Sequence, residues 1–155
     1  MNEQLLKMNG LSIEILEALS YESKLGLPLK KNLHYFDKDI LVQELIHMTE
    51  WLDEQEIFSD IALDYRIKSL DSILLKYDRY YPDHQTRKVF NDILGFRAIC
   101  DSYNQVLEFE SSQFRIADLS KGKAEDDGYR GVHVYYQRSG RHYPIEIQFN
   151  TLYDR

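Results

Sequence analysis

The sequence predicts an α+β protein, a mixed β-sheet flanked by helices that follows a helical N-terminal part. Three observations lead there. Through the first third of the chain apolar residues recur at spacings of three and four, as on one face of a helix. Beyond residue 60 that rhythm gives way to short apolar and aromatic runs of strand length. No glycine- or serine-rich linker, repeat or low-complexity tract divides the 155 residues, so one domain over 1–155 is expected, helical over 1–60 and sheet-containing over 61–155.

Leu5, Leu6, Met8, Leu11, Ile15, Leu16 and Leu19 mark an amphipathic helix that bends at Gly10 and has ended by Gly26-Leu27-Pro28. A second helix starts from an Asp37 N-cap, carries Ile40, Leu41, Leu45, Met48, Trp51 and Leu52, and stops near Gln55. Ile61 to Ile67 reads as a strand leading straight into a helix that Ser69 caps and that runs to about Tyr80, ahead of Pro82. Val89 to Leu94 fits helix and strand equally. Phe96 to Cys100 reads as a buried strand, Tyr103 to Phe109 as a short helix and Phe114 to Leu119 as another strand. Val132 to Gln137 and Tyr143 to Phe149 flank a Ser139-Gly140 turn signal and make a hairpin.

An apolar fraction of 43% is enough to build one core, and 29% charged residues with only three prolines is not the composition of a disordered chain. The single cysteine, Cys100, has no partner, which excludes a disulfide framework and a cysteine zinc site and fits a reducing, cytoplasmic setting. No run approaches 18 apolar residues and the first residues do not form a secretory signal, so no membrane contact is expected. A net charge of −7 argues against broad adhesion to nucleic acid, although screening lets a local basic patch act against the overall sign.

Chemistry concentrates in four places. On the helix after Ser69, Ser72 and Lys76 lie four residues apart on one face, with Lys68 at its entrance and Arg66 just before. Cations, a hydroxyl and free N–H groups at a helix start form a polyphosphate receptor, against the plainer alternative of a solvated lysine face. Asp92 stands just before a buried strand, and Glu146 lies between Ile145 and Ile147; carboxylates in such surroundings are usually paired or hold a metal. Alternation puts Glu146 and Gln148 on the face away from the two isoleucines, which leaves open an ordinary exposed residue. Gly128-Tyr129-Arg130-Gly131 is a loop whose tyrosine either stacks on a nucleobase or packs on its neighbours. His133, next along, is a core histidine, a phosphate contact or an acid/base group.

These motifs together resemble, in order and spacing, the synthetase domain of the RelA/SpoT family, enzymes that make the alarmones ppGpp and pppGpp. Arg66-x-Lys68-x3-Ser72-x3-Lys76 resembles the family's ATP-site motif, Asp92-x-x-Gly95-x-Arg97 its metal-aspartate strand, Gly128-Tyr129-Arg130-Gly131-x-His133 its acceptor loop, and Glu146-Ile147-Gln148-x-x-Thr151 its catalytic-glutamate strand. The resemblance spans Ile61 to Arg155 and implies a small single-domain synthetase of nucleotidyltransferase-like fold, with 61–155 as its catalytic core. It implies that Arg66 packs on or near adenine, that Lys68, Ser72 and Lys76 hold the ATP phosphates, and that Asp92 and Glu146 share Mg²⁺. The β,γ-diphosphate of ATP passes to a ribose 3'-hydroxyl, with Glu146 as base, while Tyr129, Arg130 and His133 hold the acceptor.

Three positions depart from the family's usual pattern: Asp127 for Asn, Gly131 for Ser and Asn150 for Arg. All three bear on the acceptor. A guanosine nucleotide is the first expectation. The alternative is the toxic branch of the family, which modifies the 3'-CCA end of tRNA; its partners are tRNA and an antitoxin protein, and Lys30, Lys31 and Arg115 become tRNA contacts. The family also usually continues past the position of Arg155 into another helix, so a longer native chain is expected. A nucleotide-binding module without catalysis and a nucleotide-monophosphate transferase are the remaining alternatives; the intact carboxylates and cations oppose the first, and the lack of a Gly-Ser helix entrance followed by an Asp-x-Asp pair opposes the second.

Overall fold

The computed structural model describes residues 3–109 and 111–154; Arg155, where the family-like stretch ends, lies outside the described residues. Helices α1 (Glu3–Met8), α2 (Ile13–Ala18) and α3 (Lys38–Asp53) form the N-terminal part. The expected single first helix is broken into two. Gly10 adopts a positive φ of 77°, and the Ser12 hydroxyl then caps α2 by accepting from the Ile15 N–H. Asp37 caps α3 as read from sequence, accepting from the Ile40 N–H.

The sheet comprises β1 (Asp64–Ile67), β2 (Leu94–Ile99), β3 (Phe114–Asp118), β4 (Val132–Tyr136) and β5 (Ile145–Asn150), in the order β1-β2-β5-β4-β3. Only the β2–β5 pairing is parallel, so the sheet is mixed and the fold α+β as expected. Helix α4 (Leu70–Tyr80), capped by Ser69, joins β1 to the short α5 (Thr86–Val89), and α6 (Tyr103–Leu107) joins β2 to β3. Residues 61–63 precede the strand instead of extending it, and the ambiguous stretch resolves into the end of α5 and the start of β2.

Register sorts the sheet into two chemically opposite faces. Tyr65, Phe96, Ile147, Val134 and Ile116 are in register across all five strands, and Phe96, Ile147 and Val134 are at most 1% exposed. Phe96, Ile147 and Val134 join the leucines of α1, α2 and α3 in one core, with Ile116 packed against it. Each such side chain contributes about 1.5–3 kcal/mol on burial. Alternation sends the intervening residues the other way. Arg66, Gly95, Glu146, Tyr135 and Arg115 form one cross-sheet row, with Asp64, Arg97, Gln148 and His133 in the next. A one-residue slip in any strand would exchange the faces, so the apolar core fixes where the polar groups stand.

Side chains from the helical part pin both ends of the sheet. Asn9 donates to the Ile99 carbonyl and accepts from the Ile99 N–H, 3.0 and 2.9 Å, closing the end of β2. Glu44 of α3, 7% exposed, accepts from the Ser23 hydroxyl, the Lys24 N–H and the Tyr143 hydroxyl at 2.8, 2.6 and 2.6 Å, just ahead of β5. A buried carboxylate with three donors is satisfied without a cation.

Candidate active site

The polar face of the sheet is the floor of two adjoining cavities. The smaller, about 250 Å³, lies over β1 and β2 between Arg66, Arg97 and Glu146. Gly95 sits between Arg66 and Glu146 in the row and adds no side chain there; a methyl group at that point would come 3.5 Å from Glu146 Oε1. The larger, about 550 Å³, is bounded on one side by Lys123, His133, Tyr135, Glu146 and Gln148, and on the other by α4 and the segment after it, through Lys76, Lys88, Asn91 and Asp92. Glu146 and Gln148 line both.

Asp92 is reached because β1 and β2 run antiparallel: the Lys68 N–H donates to the Ile93 carbonyl at 2.8 Å, which sets the start of α4 beside the residues entering β2. The Lys68 and Lys76 ammonium groups then lie 3.1 and 3.0 Å from separate oxygens of Asp92. Their side chains are 10% and 22% exposed, that of Asp92 14%, so this is a largely desolvated ion triad. The two lysines and the aspartate singled out from sequence thus meet. Ser72 turns aside: its hydroxyl accepts from that of Ser69 at 3.0 Å and lines neither cavity.

Glu146 is 7% exposed, not the ordinary surface residue that strand alternation alone would allow. Its Oε2 accepts from the Tyr135 hydroxyl at 2.9 Å and its Oε1 from the Gln148 amide at 2.8 Å. Burial, reinforced by the charge of Glu146, pushes the Tyr135 phenol far above its ordinary range, so it stays a donor. His133 Nδ1 lies 3.7 Å from Glu146 Oε2. Burial lowers the pKa of His133, outweighing the opposing pull of Glu146 and Asp92, and the neutral ring is the form favoured.

The loop before β4 folds onto this centre. The Tyr129 hydroxyl is 2.8 Å from His133 Nε2, and the Lys123 ammonium stands 5.2 Å over the Tyr129 ring while pairing with Asp127 at 3.1 Å. Arg130 turns back to Asp126, 2.9 and 3.1 Å from its two oxygens, and lines neither cavity. That pairing is the main reason the Asp126 carboxyl is held down to about 2. Lys30 and Lys31 are exposed on a loop whose backbone bonds to Thr86 and Arg87. Arg115 stands 5.2 Å over the Tyr135 ring and lines a third groove, of about 260 Å³, with Arg87 and Lys88.

Arg97, Tyr135, Gln148, Lys88 and Asn91 line these cavities without having been picked out as site residues. Tyr135 and Gln148 follow from alternation once His133 and Glu146 are placed, since each is two positions along the same strand, whereas Arg97 follows only from the β2–β5 register that sets it opposite Gln148. Nothing local marks Lys88 and Asn91; α5 and the residues after it bring them in.

Among the described residues, Asp92 and Glu146 are the only acids of the larger cavity, and no group of three or more His, Cys, Asp or Glu side chains gathers to hold a metal ion. Two hard carboxylates fit Mg²⁺, which keeps waters and substrate oxygens in its shell and needs only one or two protein ligands.

Floor and walls make one cleft in which lysines are paired to the Asp92 carboxylate. The chain matches no protein-family model and no curated protein sequence. Among solved structures it is similar to small alarmone synthetase 1 from Bacillus subtilis bound to pppGpp, at 25% identity and a TM-score of 0.41, over 73% of this chain and 65% of that one. It is also similar to small alarmone synthetase 2 from Bacillus subtilis, at 22% identity and 0.39 over 75% and 72%, and to smu.1046c from Streptococcus mutans UA159, at 20% and 0.39 over 72% and 67%. The chain thus spans less than two thirds of the first of these.

Proposed function

We propose that the protein is an ATP-dependent pyrophosphokinase that transfers the β,γ-diphosphate of ATP to the ribose 3'-hydroxyl of a guanosine nucleotide. One observation carries this reading: Lys76, Asp92 and Glu146 line one cleft on the polar face of the sheet, with Lys68 paired to the same Asp92. Arg66 and Arg97 flank the smaller cavity and suit an adenine placed between guanidinium planes. Lys68 and Lys76 suit its phosphates. Asp92 and Glu146 would hold Mg²⁺, which when bound neutralises charge building on the transferred group. The acceptor's 3'-oxygen attacks the β-phosphorus, the bond from that phosphorus to the α–β bridging oxygen breaks, AMP leaves, and the hydroxyl proton passes to Glu146. Tyr135 and Gln148 fix the carboxylate that receives it, and Tyr129 and His133 meet the acceptor.

A second reading, a tRNA 3' end as acceptor, is favoured by one feature. The larger cavity shares Lys88 and Tyr135 with the groove of Arg87 and Arg115, and the Lys30-Lys31 loop is bonded to the same segment. Such a track suits a polynucleotide backbone.

The test offers γ-labelled ATP and Mg²⁺ with GDP, GTP or deacylated tRNA in parallel. Label on GDP or GTP is expected; label on tRNA alone selects the second reading, and label on none refutes both. Glu146→Gln should reduce transfer by about 10²-fold or more, the scale of a lost general base, while ATP still binds. Unchanged turnover in that variant removes Glu146 from the chemistry.

A further inference from the structure

We propose that Lys88 and Asn91 form the seat of the acceptor's 5'-phosphate. This rests on the reading above, that the larger cavity takes a nucleoside with a free 3'-hydroxyl, and it assigns two residues of the wall that none of the four motifs contains.

Asn91 is the first observation. It is 8% exposed, it lines the larger cavity, and its amide makes no side-chain hydrogen bond among the described residues. Buried amides are nearly always bonded, so one facing a cavity is matched to what enters it. Cation pairing is the second. Three lysines line that cavity: Lys76 is held by Asp92 at 3.0 Å and Lys123 by Asp127 at 3.1 Å, whereas Lys88, exposed and three residues before Asn91, makes no ion pair among the described residues. An incoming anion meets Lys88 without having to displace a carboxylate.

Substrate shape supplies the third. A ribose holds its 3'-hydroxyl and its 5'-carbon on different sides of the ring, so an acceptor whose hydroxyl reaches Glu146 on the sheet cannot place its phosphate at Glu146 as well. Lys88 and Asn91 belong to the wall facing the sheet. Lys88 also lines the groove beyond, so a phosphate held there can be terminal or can continue into a chain. A 5'-phosphate is common to a free nucleotide and to the last residue of an RNA, and the seat serves either.

The experiment is calorimetric titration of the full chain and its Lys88→Ala, Lys88→Arg and Asn91→Ala variants with GDP, guanosine, a short oligonucleotide ending in CCA, and ATP. Lys88→Ala is expected to weaken binding of GDP, or of the oligonucleotide if that is the acceptor, by about 10- to 100-fold, the scale of a charge-assisted hydrogen bond, with guanosine and ATP unaffected. Lys88→Arg should retain most of the affinity, and Asn91→Ala should lose a smaller part. Equal binding of the phosphorylated acceptor by wild type and Lys88→Ala, or a loss for guanosine as large as for GDP, overturns the seat while leaving the pyrophosphokinase reading intact. If wild type binds none of the acceptors, that reading and the seat fall together.

Discussion

Tyr129 lies where it does because residue 131 has no side chain. A Cβ on Gly131 would come 2.5 Å from the Tyr129 hydroxyl oxygen and 2.8 Å from the Asn150 amide nitrogen, closer than real contacts allow. The other departures from the family pattern touch the same spot. Asn150 donates to the Arg130 carbonyl at 2.7 Å, and Asp127 accepts from the Tyr129 N–H at 3.0 Å. Asp127, Gly131 and Asn150 are therefore one adjustment of the loop, legible in the chain only as three separate differences. Gly131→Ser should expel the phenol from His133, since the colliding atom is the far end of a movable side chain. Tetranitromethane should then nitrate Tyr129 faster than in wild type, with Tyr129→Phe as the blank. An unchanged nitration rate would mean that the phenol is held by something other than the space at residue 131.

At the scale of elements, the capped helices were readable because a cap is a local event: Asp37 and Ser69 satisfy N–H groups three residues away. The four-residue α5 was not, being too short to show a period. The hairpin was read from its turn signal, but its anchorage was not, because Glu44 and Tyr143 are 99 positions apart. Tyr143→Phe leaves the buried Glu44 carboxylate short of a donor and should cost about 1–3 kcal/mol in urea unfolding. A variant as stable as wild type would make that hydrogen bond energetically idle. His142, in the turn of the same hairpin, has its pKa lowered from 6.5, first by burial, with Glu22 opposing. The unfolded chain therefore takes up the proton more readily, so the contribution of His142 is complete above 6.5 and is lost as pH falls through it. Melting temperature should drop on acidification below that point, and less steeply in His142→Gln; parallel profiles would show that other groups govern the acid limb.

For the whole molecule, the distribution of charge matters more than its sum. A chain of net charge −7 lines its cleft with Arg66, Arg97, Lys76 and Lys88, and Asp92 restrains two lysines until a ligand competes. Asp92→Asn frees both ammonium groups, so inorganic pyrophosphate in metal-free buffer should bind more tightly, by roughly tenfold, the scale of one hydrogen bond to a charged group. Equal or weaker binding would show that the lysines are not held back by the aspartate. Among the described residues no helix is long and apolar enough to cross a membrane. By itself the sequence determined the fold class, the Asp37 and Ser69 caps and the alternation that sets Glu146 and Gln148 apart from Ile145 and Ile147, because propensity, capping and side-chain period act over a few neighbours. Only the tertiary structure decided that Glu146 is buried, that Asp92 is clamped by two lysines, and that Lys88 and Asn91 face the same cleft. Strand order and register, fixed by the apolar core on the far side of the sheet, determine which distant residues meet.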